Sequence, residues 1–90
     1  MSRKLNNILV TGGAGFIGSN FMHYMTETYP NDTFVCLDAL TYAGNYENLK
    51  PIENRENFKF VKGDIRDIKL IDELFEKENF DIVINFTSAD

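Results

Sequence analysis

The 90-residue chain has room for one domain at most and buries a smaller share of its surface than a domain of ordinary size. With 43% hydrophobic and 26% charged residues its composition is globular, which excludes disorder over most of its length. A formal net charge of -5, with both signs scattered along the chain, excludes a nucleic-acid partner, because affinity for a phosphate backbone comes from clustered Lys and Arg.

Met1-Ser2-Arg3-Lys4 leads straight towards a strand, without the apolar core of a signal peptide or a run long enough for a bilayer. A cytoplasmic protein with no membrane partner is expected. Ile8-Leu9-Val10, stopped by Gly12-Gly13, predicts a strand buried on both faces. Between Gly15 and Tyr29, the residues Ile17, Phe21, Tyr24, Met25 and Thr28 recur at helical spacing and predict a helix packed on the sheet. Tyr29-Pro30-Asn31-Asp32 supplies its stop. Residues 33–37 predict a second strand, closed by Asp38. Within it lies Cys36, the only cysteine, so neither an intrachain disulfide nor a thiolate cluster for a metal can form. Its apolar surroundings predict a buried thiol without chemistry.

Residues 39–57 are polar, weakly periodic and contain Pro51, predicting a long loop with at most one helical turn. Loops of that length in small domains usually bind something. Residues 58–61 predict a third strand. Ile68, Ile71, Leu74 and Phe75 mark a helix ending near Lys77, and Ile82-Val83-Ile84 predicts a fourth strand. The alternation implies an α/β fold, a partial Rossmann fold with a four-stranded parallel sheet of order 3-2-1-4 and flanking helices. In that order a crevice opens at the carboxyl ends of the first and fourth strands. Residues 1–90 are expected to form a truncated dinucleotide-binding domain whose fourth strand is an unprotected edge, with self-association as the consequence.

Gly12, Gly15 and Gly18 stand at spacing G-x-x-G-x-x-G in the turn from first strand to first helix. Gly12 permits the tight turn, Gly15 removes the Cβ that would block a pyrophosphate, and Gly18 lets the helix lie close to the sheet. The helix N-terminus then offers free N–H groups and its positive dipole end to the phosphates. Asp38 follows Gly18 by 20 residues, the placement of a ribose-binding acid. A carboxylate accepts from ribose hydroxyls and repels a 2′-phosphate, and Ala39 offers no cation, so NAD rather than NADP is expected. The plainer reading of Asp38 is a loop cap. No Lys-Ser or Lys-Thr pair closes the turn, which rules out a P-loop.

Val10-Thr11-Gly12-Gly13-Ala14-Gly15-Phe16-Ile17-Gly18-Ser19-Asn20 resembles the opening of extended short-chain dehydrogenases/reductases acting on nucleotide sugars. Leu37-Asp38-Ala39-Leu40-Thr41-Tyr42-Ala43-Gly44-Asn45 with Asn48-Leu49, and Phe60-Val61-Lys62-Gly63-Asp64-Ile65-Arg66-Asp67, are similar to the dTDP-glucose 4,6-dehydratases within that class. The resemblance implies that Phe16 and Ile17 lie over the pyrophosphate and that Asp38, Ala39, Leu40, Thr41 and Gly44 serve the adenosine ribose. It also implies that Asp64 and Ile65 flank the adenine; alternatively Asp64 caps a turn. Phe86 and Thr87 fall where such enzymes line the nicotinamide ribose with a segment resembling Ala-Ala-Glu-Ser-His. This chain departs from that segment at Ala89-Asp90.

The family's catalytic Tyr-x-x-x-Lys pair, its Asp-Glu acid-base pair and its sugar-nucleotide domain are expected further along than residue 90, so no catalytic residue is assigned. Tyr46 and Lys50 have the spacing but lie in the long loop, at the adenosine end, and His23 is read as a surface residue. Three readings follow. The first is the NAD-binding portion of an NAD-dependent lyase of nucleotide-sugar metabolism, converting dTDP-glucose to the 4-keto-6-deoxy sugar. The second is a non-catalytic fragment binding a dinucleotide or a partner. The third is the start of a related epimerase or reductase. A nucleotide-sugar substrate is implied only where the rest of such an enzyme is present.

Overall fold

The computed structural model describes residues 6–40 and 45–86. Its elements are β1 (Asn7–Thr11), α1 (Phe16–Thr28), β2 (Thr33–Asp38), a 3₁₀ segment (Tyr46–Ile52), β3 (Phe58–Lys62), α2 (Ile68–Glu78) and β4 (Ile82–Asn85). All four strands are parallel, in the order β3-β2-β1-β4. The predicted class and strand order both hold.

Side-chain alternation divides the sheet into two packed faces. Ile8, Val10, Phe34, Cys36 and Phe58 point to one side and form a core with Met22 of α1 and with Leu49 and Ile52 of the 3₁₀ segment. Leu9, Val35 and Leu37 point to the other and pack with Leu74, Leu70 and Ile71 of α2. Covering both faces is what makes β1 and β2 continuous apolar runs rather than alternating ones.

Helix α1 is rotated from the face its apolar spacing predicts: Phe21 and Met25 pack against the core as expected, but the residues beside them are not the predicted ones. Gly18, Ser19, Met22 and Thr26 are buried, whereas Ile17 is 71% and Tyr24 61% exposed. The reason is the docking point. A Cβ at Gly18 would stand 2.5 Å from the Gly12 carbonyl oxygen and 2.9 Å from Gly13 Cα, so the helix approaches the turn through its smallest residue and its rotation follows. Two polar residues tolerate burial there by bonding locally: Ser19 Oγ donates to the Phe16 carbonyl at 3.0 Å, and Thr26 Oγ1 to the Met22 carbonyl at 2.8 Å.

From residue 45 onward the long connection after β2 carries a 3₁₀ segment, longer than the single helical turn expected. Asn45 caps its 3₁₀ segment by accepting from the Glu47 N–H at 3.0 Å, and Leu49 and Ile52 are buried in the core. Asn57, at its far end, donates to the carbonyls of Thr26 and Tyr29, satisfying the C-terminus of α1. Asp67 caps α2 by accepting from the Leu70 N–H at 3.2 Å, and Asn79 ends it in the left-handed conformation at φ 51°.

Among the described residues strand β4 pairs only with β1, and Ile82 (41%) and Val83 (52%) remain exposed on it. An open parallel edge carrying apolar side chains is a template for pairing with another chain. The 90-residue chain is therefore expected to self-associate in sedimentation velocity, and Val83→Lys to shift it towards monomer; a single sharp monomer boundary for the unsubstituted chain would refute this. For Gly18→Ala, the helix-propensity gain of about 1 kcal/mol is outweighed by overpacking against backbone, about 1–3 kcal/mol. Denaturant unfolding should show a net loss.

Candidate functional site

In a parallel sheet every strand delivers its last residue to the same edge, so Thr11, Asp38, Lys62 and Asn85 end together. The turns beyond them are tied to neighbouring strands. Gly12 donates to the Leu37 carbonyl (2.9 Å), Gly63 to that of Asp38 (3.1 Å) and Phe86 to that of Thr11 (2.7 Å). Thr11 Oγ1 donates to Asn85 Oδ1 at 2.7 Å, bridging β1 and β4 where the chain reverses across the sheet.

The glycine-rich turn occupies that edge. Gly12 has φ 74°, a left-handed conformation that favours glycine. Gly13 lies under Cys36, whose Sγ would be 2.6 Å from an added Cβ. Gly15 is extended (φ −73°, ψ 174°), a conformation open to any residue, and forms the N-cap of α1 without a side chain to bond the helix N–H groups. The first turn of α1 has no acidic residue either. Phe16 (78%) and Ile17 stand exposed over this helix end.

Asp38 faces the turn. Its Oδ2 accepts the Ala14 N–H at 2.9 Å and its Oδ1 the Leu40 N–H at 2.8 Å. Leu40 is held at φ 57°, where a side chain costs about 1–2 kcal/mol, and the second bond helps to offset that cost. On the other side of Ala14, its carbonyl accepts from the Asn45 N–H (3.1 Å) and from Asn48 Nδ2 (2.9 Å). Ala39 and Leu40 are half-buried beside Asp38, while Thr41, Gly44 and Thr87 lie outside the described residues.

Asp64 lies past β3, half-exposed, and Arg66 engages it: backbone N–H to Oδ1 at 2.8 Å, Nη2 to Oδ2 at 2.8 Å. Ile65, next to it, is 44% exposed. Phe86 is half-buried against Phe21, ring centroids 5.2 Å apart. The structure thus brings Gly12, Gly15, Gly18 and Asp38 into one constellation through Ala14. Asp64, Ile65 and Phe86 follow the ends of β3 and β4 along the same edge.

Other chemistry-bearing groups are engaged structurally. Cys36 is fully buried, and burial, reinforced by the Asp38 charge, pushes its thiol up to about 12 despite a hydrogen bond from the Gly13 backbone. Tyr46 donates to Glu53 Oε2 at 2.8 Å, and that bond pushes the phenol up, opposite to what a catalytic tyrosine needs. Lys50 sits 5.9 Å from the Tyr46 ring centroid. His23 donates from Nε2 to the Asn48 carbonyl at 2.7 Å and is half-buried rather than free on the surface.

Gly13, Ala14, Asn48, Gly63 and the Thr11–Asn85 pair make contacts at this edge to which the sequence assigned no role. Gly63 was visible as a glycine after a strand, and an added Cβ would meet Leu70 Cδ2. Ala14 carried no signal, since its part is played by its backbone.

The Arg66 hydrogen bonds lower the Asp64 carboxyl from 3.8 to about 2. Because the folded value is depressed, whatever stability it adds is present above about 3.8 and is lost as pH falls through about 2. Carboxyl NMR should find the Asp64 midpoint near 2, returning towards the ordinary range in Arg66→Ala.

A family model described as GDP-mannose 4,6 dehydratase matches residues 9–89. The dTDP-D-glucose 4,6-dehydratase of Mus musculus is 46% identical over 81 residues, 90% of this chain and 23% of that protein. The low-salt glycan biosynthesis protein Agl12 of Haloferax volcanii is 49% identical over 82 residues, 91% of this chain and 26% of that one. A solved structure of dTDP-glucose 4,6-dehydratase from Bacillus anthracis, in complex with NAD, superposes with a TM-score of 0.89 at 46% identity, covering 92% of this chain and 27% of that chain. The chain spans about a quarter of the length of these relatives. With a family model matching residues 9–89 and a shared fold, the chain belongs to the GDP-mannose 4,6 dehydratase family of NAD-dependent sugar dehydratases and epimerases, extended short-chain dehydrogenases/reductases, and is homologous to the NAD-binding N-terminal part of dTDP-glucose 4,6-dehydratases.

Proposed function

We propose that this chain is the NAD-binding portion of a dTDP-glucose 4,6-dehydratase and that by itself it binds the dinucleotide without turning over a sugar. The observation that carries the reading is the start of α1. The 3₁₀ segment and α2 are capped by the side chains of Asn45 and Asp67, whereas α1 begins at Gly15 with no side-chain cap. Its first N–H groups, which have neither an intrahelical partner nor a side-chain cap and stand at the positive end of the helix dipole, suit a pyrophosphate. Gly15 needs no glycine for its own backbone conformation, so close approach of a ligand is the physical reason for one there.

Asp38 completes the fit. A carboxylate has about four acceptor positions, and the N–H groups of Ala14 and Leu40 take one on each oxygen, leaving capacity for ribose hydroxyls. The 2′-phosphate of NADP would meet that negative charge with no cation at Ala39. Phe16 and Ile17 would cover the pyrophosphate, and Ala39, Leu40, Thr41 and Gly44 would flank the adenosine ribose. Asp64 and Ile65 would bracket the adenine, the carboxylate using what Arg66 leaves open, and Phe86 and Thr87 would border the nicotinamide side. When bound, the dinucleotide supplies reversible hydride acceptance, the chemistry by which dTDP-glucose would become its 4-keto-6-deoxy product. This chain's contribution is to fix the cofactor's position.

Calorimetric titration of the purified chain tests the reading. NAD is expected to bind saturably, NADP about tenfold or more weaker, and Asp38→Ala to lose about tenfold in NAD affinity, with circular dichroism confirming that the variant stays folded. No saturable NAD binding, or equal affinity for NADP, would refute it.

A further inference from the structure

We infer that Asn48 is a positioning residue for the glycine-rich turn, holding the peptide between Ala14 and Gly15 in the orientation that suits an anionic ligand. This rests on the dinucleotide reading above. A planar trans peptide points its carbonyl and its N–H in opposite directions, so whatever holds the Ala14 carbonyl also fixes the Gly15 N–H. That N–H makes a long 3.4 Å contact with the Gly12 carbonyl, and Gly15, lacking a Cβ, gives its backbone freedom to rotate. A flipped peptide would turn a carbonyl oxygen where the phosphate needs donors.

Two hydrogen bonds oppose the flip from the side of the long connection. The Asn45 N–H (3.1 Å) and Asn48 Nδ2 (2.9 Å) both donate to the Ala14 carbonyl. The carbonyl of Asn48 itself accepts from His23 Nε2 at 2.7 Å, so Asn48 joins the turn to the helix that the turn opens. Asn45 acts through its backbone, which among the described residues leaves the Asn48 side chain as the donor on that oxygen that a substitution can remove. Docking of the 3₁₀ segment does not depend on it, since Leu49 and Ile52 are already buried in the core.

The experiment is amide hydrogen exchange by NMR on the 90-residue chain without ligand, followed by NAD calorimetry, for Asn48→Ala and for Ile52→Val as a control with a comparable loss in melting temperature. Asn48→Ala changes no charge, so an effect on NAD cannot be electrostatic repulsion. Exchange at Ala14 and Gly15 should accelerate about tenfold in Asn48→Ala, with NAD affinity falling about tenfold, while Ile52→Val leaves both near the unsubstituted values. Asn48→Ser, which keeps a shorter donor, should fall between and serves if the alanine variant does not fold. Unchanged exchange at Ala14 and Gly15 overturns the inference, as does accelerated exchange with unaltered NAD affinity. Accelerated exchange in a chain that never binds NAD supports the hold on the turn and refutes the dinucleotide reading instead.

Discussion

The contact between Gly18 and the Gly12–Gly13 backbone constrains more of this fold than any other. Helix and turn meet there with no side chain between them, at distances an added Cβ could not survive. That contact sets the rotation of α1, which places Met22 in the core and leaves Ile17 and Tyr24 in solvent. It also aims the uncapped helix end along the carboxyl edge of the sheet. Backbone-on-backbone packing of this kind is available to glycine alone, which is why one residue type at one position governs both the packing and the candidate site.

Around that contact the turn is held by polar bonds rather than by apolar burial. Asp38 takes the N–H of Ala14, and the connection after β2 takes its carbonyl. The acid that would choose between cofactors is therefore also a structural brace, and its two duties share one carboxylate. The connection itself is half core and half clamp: Leu49 and Ile52 anchor it by burial, and Asn45 and Asn48 hold the turn. A segment can be polar along its length and still be indispensable to the core when two apolar residues carry its attachment.

The two sides of the sheet are unequally finished. Both central strands are buried, with Val10, Phe34, Val35 and Cys36 at 0% exposure, whereas β4 keeps apolar residues open to solvent. In a marginally stable small fold the well-packed half carries most of the cooperativity, and the open edge is where exchange and association begin. The ends of β1 and β2, which bear the glycine-rich turn and Asp38, belong to the finished half.

The four strands, both helices and the pairing of a glycine-rich turn with Asp38 were legible from hydrophobic runs and glycine spacing, because those signals are local and set by backbone geometry; the strand order came from the Rossmann topology that their alternation implies. A buried parallel strand such as Ile8-Leu9-Val10 announces itself by having no polar alternation. The face of α1 was legible only in Phe21 and Met25, since periodicity weighs apolar residues, while the docking distance selected Gly18 and let Ser19 and Thr26 bury their hydroxyls on helix carbonyls. Nor were the structural duties of Asn48, His23 and Ala14, which arise from hydrogen bonds between residues 25 and 34 positions apart in the chain. Local pattern specifies which elements form and where the chain must turn; long-range bonds to backbone atoms carry no composition of their own and exist only once the elements have packed.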